Sequence, residues 1–216
     1  MKKILFYSII FSFLFAYAQG PDAIAITKQG NARGAVACMT CHGSQGEGMA
    51  AAGFPYLAQL PAAYITEQLK DYADDVRVNS VMGPIAKALS VEERTALAEY
   101  YSSLKLTKFK APKGHVNLIA QGKKLATVGD QKLQVQACAN CHGPGGSGHY
   151  MYIPSLAGQP AAYIESQLLA WKKGERKNSV NQMLPVAKNL DEKSIKALSE
   201  FFAQIHPVTD PIFSQP

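Results

Sequence analysis

The stretch Ala37–Gly43 reads ACMTCHG, and Ala137–Gly143 reads ACANCHG. Each copy places two cysteines three apart with a histidine directly behind the second. Nothing else in the 216 residues limits the fold so tightly, because one constellation must be built twice. The repetition runs well past the motif. PYLAQLPAAYITEQL, from Pro55 to Leu69, matches PSLAGQPAAYIESQL, from Pro154 to Leu168, at most positions, with a small adjustment where Gln59-Leu60 stands against Gly158-Gln159. Arg77, Asn79 and Ser80 match Arg176, Asn178 and Ser179. After a two-residue insertion in the second copy, MGPIAKAL from Met82 to Leu89 matches MLPVAKNL from Met183 to Leu190. A period of about 100 residues is the size of a domain rather than of a solenoid repeat. The chain is therefore expected to be two copies of one domain, at 19–107 and 116–216, joined by a linker at 108–115.

The chemistry of the cysteines depends on the compartment. Lys2 and Lys3 precede the apolar run Ile4–Phe15, and Ala16-Tyr17-Ala18 supplies the small-x-small pattern at which signal peptidases cut. Ile4–Ala18 spans 15 residues, short of the about 20 that a membrane-crossing helix needs. Residues 1–18 thus read as a cleaved export signal and the mature protein as periplasmic. An oxidising compartment lets an even number of cysteines pair, and three readings compete. Redox Cys-x-x-Cys pairs open a helix that follows a strand, and no strand-like run precedes either copy. A four-sulfur zinc site would have to close a loop of nearly one whole repeat, and both histidines would be surplus. In the third reading, Cys38 and Cys41, like Cys138 and Cys141, add to the two vinyl groups of one porphyrin, and His42 and His142 become axial ligands to the iron. Covalent haem alone uses all three residues in both copies, so two covalently bound haem c groups are the expected cofactors.

Electron-transfer haems commonly take a thioether or a second imidazole as their sixth ligand. Beyond the signal the chain offers Met39, Met49, Met82, Met151 and Met183. An isolated methionine ordinarily fills a core, but Met82 and Met183 occupy equivalent places behind His42 and His142, and the others do not. His115, His149 and His206 have no histidine opposite them in the other repeat. Met82 and Met183 are the expected axial partners.

The secondary structure should be helical. Behind Pro61, placed for a first turn, Tyr64, Ile65, Gln68, Leu69 and Tyr72 recur at helical spacing; behind Pro160, Tyr163, Ile164, Gln167, Leu168 and Trp171 do the same. Ser90 with Glu93 forms a capping-box signature ahead of Leu97, Tyr100, Tyr101 and Leu104, and Asp191 stands ahead of Leu198, Phe201, Phe202 and Ile205. Long glycine-rich segments separate these helices. Domains this small and irregular need a staple, which an apolar haem disc provides.

These features together resemble class I c-type cytochromes, and the duplicated form resembles the dihaem cytochrome c4 family over essentially the whole mature chain. The resemblance implies an all-α fold of two tandem class I cytochrome c domains and His/Met ligation of both haems. It also implies that the carbonyls of Pro55 and Pro154 accept the proximal imidazole N–H. It further implies two facing domains with their propionates near the interface, so that electrons pass between the irons. With both axial positions filled, the expected function is that of an exported electron carrier between redox proteins of a respiratory chain, not of an enzyme. A membrane quinol-oxidising complex or a dehydrogenase would be the donor and a terminal oxidase an acceptor, with peripheral membrane association compatible with that role. The alternatives are a dihaem subunit of a flavoprotein dehydrogenase, as in sulfide oxidation, and a dihaem peroxidase. The 22 basic and 16 acidic residues give a net charge of +6, with the excess in the second half. Lys108, Lys110 and Lys113 cluster in the linker, and Lys172, Lys173, Arg176 and Lys177 cluster before Met183. This arrangement predicts that an acidic partner meets the second domain.

A Cys38→Ala/Cys41→Ala variant is expected to carry one covalent haem instead of two. Haem staining on a denaturing gel and intact mass check this, and two retained haems, or stoichiometric zinc in the native protein, would refute the attachment reading.

Overall fold

The structure, a computed structural model, describes residues 20–106, 109–149 and 151–207. The expected export signal at 1–18 lies outside the described residues. Each repeat contributes five helices in the same order. In the first these are α1 (Ala23–Gln29), α2 (Met39–His42), α3 (Ala62–Ala73), α4 (Met82–Lys87) and α5 (Val91–Ser103). In the second they are α6 (Val116–Thr127), α7 (Ala139–His142), α8 (Ala161–Lys173), α9 (Met183–Asn189) and α10 (Glu192–Gln204). No described helix is long and apolar enough to cross a membrane.

The caps are built from the residues that the sequence pattern singles out. Ser90 Oγ accepts from Glu93 N at 3.1 Å and Glu93 Oε2 accepts from Ser90 N at 2.9 Å, closing a capping box at the start of α5. Asp191 Oδ1 accepts from Ser194 N at 2.7 Å at the start of α10. Pro61 and Pro160 stand one residue earlier than expected, at the N-caps of α3 and α8, with φ of −56° and −53°. That position suits a residue without an N–H to donate.

The fold is helical apart from one small hairpin, which the all-helical expectation did not include. β1 (Gly129–Asp130) pairs antiparallel with β2 (Val135–Gln136). In the first repeat Asn31 Oδ1 accepts from Arg33 N and Ala35 N and closes a tight loop. The second repeat is one residue longer here. Asp130 Oδ1 instead turns the chain through Lys132 N and Leu133 N, and the slack is taken up as two short strands.

Each repeat encloses its own apolar core. Ile26, Ile65, Leu97 and Tyr101 belong to one, while Leu125, Ile164, Trp171, Leu198 and Phe202 belong to the other. In the second repeat α6 crosses α10 closely at Gly122, where a Cβ would come within 2.0 Å of Ala197 O. Leu106 still packs in the first core, whereas Phe109 lies against His206 of the second, 5.2 Å between ring centroids. The chain therefore passes from one unit to the other between Leu106 and Phe109.

Several contacts join the units, among them a backbone bridge and a glutamine clamp. Arg77 and Arg176 form an antiparallel bridge in which Val78 N donates to Glu175 O and Lys177 N donates to Val76 O, both at 2.8 Å. Equivalent residues thus face each other around a local two-fold. The second contact breaks that symmetry. Gln159 Oε1 accepts from Tyr56 N at 3.2 Å and Gln159 Nε2 donates to Tyr56 O at 3.1 Å, while Tyr56 Oη donates to Ala157 O at 2.8 Å. Leu60, the counterpart of Gln159, is simply buried in the first core.

Gln159→Leu gives the second repeat the residue of the first and strands the buried N–H and C=O of Tyr56. An unmet buried polar group costs about 1–3 kcal/mol, and a chain of this size loses about 2–4 °C of Tm per kcal/mol. The thermal midpoint of the holoprotein is therefore expected to fall by several degrees, measured by calorimetry, while haem content stays the same.

Candidate haem sites

The two Cys-x-x-Cys-His segments each form a single helical turn, α2 and α7. Cys38 and Cys138 begin the turns, and His42 N and His142 N donate back to their carbonyls at 3.0 and 2.9 Å. The chain then reverses so that Gly48 N donates to His42 O and Gly148 N to His142 O, both at 2.7 Å. The reversal brings the following proline under each imidazole. His42 Nδ1 lies 2.9 Å from Pro55 O, and His142 Nδ1 lies 2.9 Å from Pro154 O. A carbonyl only accepts, so the proton sits on Nδ1 and the Nε2 lone pair is left to bind something else. Burial lowers the pKa of both histidines, partly offset by the carbonyl contact, which favours the neutral ring that a metal requires.

The cysteines are free thiols. Burial raises the pKa of Cys38 and pushes that of Cys138 up to about 11. Contrary to the sequence expectation, a two-residue strand, β2, does precede the second copy, but a redox-active Cys-x-x-Cys needs a depressed thiol, the opposite of the shift that burial gives Cys38 and Cys138. Among the described residues no three His, Cys, Asp or Glu side chains converge as a metal cluster, which removes the zinc reading.

In the first repeat Cys38, Cys41 and His42 open onto a cavity of about 260 Å³ that Met82 also lines. Its walls are Leu57, Leu60, Ile65, Leu69, Ile85, Leu89 and Leu97, with Tyr64, Arg77 and Asn79 among the polar groups. Tyr163, Ser166 and Gln167 of the second repeat line it too, so this cavity reaches the junction between the units. In the second repeat Cys138 and Met183 both pack against the apolar core, and His142 is buried.

The methionine segments are held differently. Asn79 Oδ1 accepts from Val81 N at 3.0 Å and from Met82 N at 2.8 Å. Asn178, its counterpart, instead crosses the junction, and its Nδ2 donates to Gln68 Oε1 at 3.1 Å and Asp71 Oδ2 at 2.6 Å. The two inserted residues follow Ser179, whose φ is 52°, and Gln182 N and Leu184 N donate to Ser179 O.

The junction contains what the sequence reading missed. Arg77 and Arg176 are each only 4% exposed. Arg77 Nη2 donates to Tyr163 Oη at 3.0 Å and to Gln167 Oε1, and Arg176 Nη2 donates to Gln68 Oε1 at 2.9 Å. Arg77 stacks over Tyr72 and Arg176 over Trp171, 4.5 and 3.8 Å from the ring centroids. Neither guanidinium is in an ion pair among the described residues. Burial and the Arg77 charge lower the pKa of Arg176. Two buried like charges, held by neutral amides and a phenol beside the cavity, make a cradle for anionic groups. A haem carries such groups in its propionates, so the residues present fit it. The signal was available as two arginines at matching places in the two repeats, each within an Arg-x-Asn-Ser stretch.

Arg176 is therefore not part of a surface patch, contrary to the docking expectation. Nor is Lys172 a free surface charge: its Nζ donates to Lys188 O at 3.1 Å and Leu190 O at 2.7 Å, closing the end of α9. Lys108 lies outside the described residues, and Lys110, Lys113, Lys173 and Lys177 remain exposed.

Comparisons with known proteins agree with this geometry. The Cytochrome c family model matches residues 28–105, and that of Cytochrome C oxidase, cbb3-type, subunit III, matches residues 127–202. A thiosulfate dehydrogenase electron acceptor of Thiomonas intermedia is 43% identical over 170 residues, covering 78% of each chain. A cytochrome c4 of Pseudomonas aeruginosa is 34% identical over 88% of this chain and 92% of its own. Among solved structures, thiosulfate dehydrogenase of Marichromatium purpuratum aligns with a TM-score of 0.79 and 36% identity over 86% of this chain, which spans 40% of that longer one. Both halves are thus c-type cytochrome domains. The chain belongs to the dihaem cytochrome c4 family, carries two covalently bound haem c groups, and is an electron carrier rather than an enzyme itself.

Asn79→Ala should free the Val81 and Met82 amides. At about 0.5–1.5 kcal/mol per bond, their hydrogen exchange should accelerate about two- to tenfold, measured by NMR or mass spectrometry. Asn178→Ala should leave the Met183 segment unchanged and accelerate exchange around Gln68 and Asp71.

Proposed function

We propose that this protein is a periplasmic electron acceptor for a thiosulfate-oxidising dehydrogenase and passes the electrons on to a further redox protein, such as a terminal oxidase. The observation that carries this reading is the 43% and 40% identity to two thiosulfate dehydrogenase electron acceptors, above the 34% to a cytochrome c4. The solved thiosulfate dehydrogenase, whose chain contains a region similar to this one, adds support. The same similarity favours the dehydrogenase-subunit alternative in a modified form, with a thiosulfate rather than a sulfide oxidising partner. Residues 1–18 act as a cleaved export signal, 19–107 and 116–216 are the two haem domains, and 108–115 joins them.

Each haem supplies one reversible ferric/ferrous couple. The protein's own residues hold and tune it. Cys38 and Cys41 would anchor the first group and Cys138 and Cys141 the second; His42 and Met82, and His142 and Met183, would serve as ligands to the two irons. Pro55 O and Pro154 O fix the imidazole tautomer and raise its basicity. Arg77 and Arg176 balance carboxylates that would otherwise be expensive to hold near a buried junction. The first cavity reaches residues of the second repeat, Tyr163, Ser166 and Gln167, so a haem held there would lie toward the junction, which would suit transfer between the two groups.

Mixing the oxidised holoprotein with thiosulfate and a purified thiosulfate-oxidising dehydrogenase should reduce both haems within one stopped-flow trace. Thiosulfate alone should leave them oxidised. If the dehydrogenase fails to reduce them while a quinol-oxidising complex succeeds, the general respiratory carrier is the better reading. Met183→His should remove about half of the methionine-to-iron charge-transfer band of the oxidised protein and lower one potential, since imidazole favours the ferric state. An unchanged band and unchanged potentials would remove Met183 from the ligand set.

A further inference from the structure

Tyr101 and Phe202 occupy the same place in the two repeats. Tyr101 covers Gly46, where an added Cβ would come within 2.8 Å of its ring, and Phe202 covers Gly146, where the distance is 2.6 Å. The carbonyl of each accepts from an equivalent amide, Gln59 N for Tyr101 and Gly158 N for Phe202. The helix that packs beside them carries Thr27 in the first repeat and Ala126 in the second. Gly30 and Gly129, three residues further on in each, have the same positive φ, 77° and 82°, and confirm this register. A polar pair in one domain therefore replaces an apolar pair in the other.

That polar pair is not explained by folding. Thr27 and Tyr101 are 1% and 2% exposed, and neither hydroxyl has a hydrogen-bond partner of ordinary geometry among the described residues. Two orphaned buried hydroxyls are costly, and the apolar pair in the second repeat does the same packing without that cost. What the hydroxyls face is informative. Tyr101 lines the first cavity together with Cys38 and His42, and its phenol is in electrostatic contact with both the Cys38 sulfur and Thr27.

We propose that Thr27 and Tyr101 are tuning residues for the first haem, a hydroxyl relay aimed at its attachment sulfur that sets its reduction potential apart from that of the second. The inference rests on the reading of Cys38 as an attachment site. Once Cys38 is a thioether its sulfur can only accept, so Tyr101 O–H donates to it and Thr27 O–H donates to the phenol oxygen. Aligned hydroxyl dipoles strengthen one another in a low-dielectric site. With their positive ends toward the attachment sulfur, they would stabilise the electron-rich, reduced form of a haem held there. Ala126 and Phe202 in the second repeat supply no such dipole.

The test is a pair of reciprocal exchanges in the full holoprotein, read by spectroelectrochemical titration, which resolves two one-electron waves. Tyr101→Phe should lower one wave, Thr27→Ala should lower the same wave by less, and Phe202→Tyr/Ala126→Thr should raise the other. A weak hydrogen bond corresponds to about a two- to tenfold change in the ferric/ferrous ratio at fixed potential, and a full tenfold is about 59 mV for one electron. Tyr101→Phe keeps the ring that covers Gly46 and installs the residue that the second repeat already uses over Gly146, so the variant should fold as the parent does. Unchanged waves, an upward shift in Tyr101→Phe, or equal movement of both waves would overturn the proposal. Haem staining of the same samples separates this from the attachment reading, which fails if the Cys38→Ala/Cys41→Ala protein keeps two covalent haems.

Discussion

Two positive charges buried side by side organise this molecule. Arg77 and Arg176 are held at a junction from which water is largely excluded, without a carboxylate in contact. A guanidinium cannot shed its proton to escape burial, so the chain must surround it with acceptors and ultimately with an anion. Gln68, Gln167 and Tyr163 supply the first, Tyr72 and Trp171 supply aromatic faces, and the backbone bridge between the units fixes the geometry. The carboxylates of two haems, held near this junction, would complete the balance. Folding, haem retention and the joining of the domains are then one problem rather than three, since weakening any of them exposes an unbalanced charge.

The duplication made most of this legible in the sequence. Local signals worked where the physics is local: Ser90 and Glu93 close a capping box because both groups lie within one turn, and Asp191 caps for the same reason. The two attachment turns could be placed because their chemistry requires that spacing. Residues whose role depends on the opposite domain could not be read. Gln159 looked like a local departure from the repeat, yet it pairs with the backbone of Tyr56, 103 residues away in the chain. Arg176 looked like surface charge because it is flanked by exposed lysines, but alternation around the bridge turns it inward. The helices α1 and α6 carried too weak a pattern to be recognised, α1 because it is only 7 residues long.

Duplicated domains start with equal sites, and an electron carrier with two equal sites has no preferred direction for the electron. The differences between the repeats are concentrated where they can break that equality. Gln159 replaces Leu60 at the junction, Asn178 leaves the methionine segment to reach across to Asp71, and Ala126 with Phe202 replaces Thr27 with Tyr101 beside the attachment sulfur. The Leu60/Gln159 and Tyr101/Phe202 exchanges keep side-chain volume nearly constant while moving a polar atom. Packing is thereby preserved, because cores tolerate volume-conserving changes best, while the local field differs. Fields act on the ferric and ferrous states unequally, so small polar exchanges separate the potentials without disturbing the fold.

The same logic limits what surface charge can do here. Once Arg176 is assigned to the junction and Lys172 to the end of α9, the positive face of the second domain reduces to Lys173 and Lys177, with Lys110 and Lys113 in the linker, all exposed. Charges of this kind act over the about 8 Å screening length of physiological salt. They bias how a partner approaches more than how tightly it stays. For a carrier that must bind, exchange one electron and leave, that division is useful. Exposed lysines can orient a partner, whereas the charges of Arg77 and Arg176 are kept inside, where a passing partner and the surrounding salt would barely perturb them.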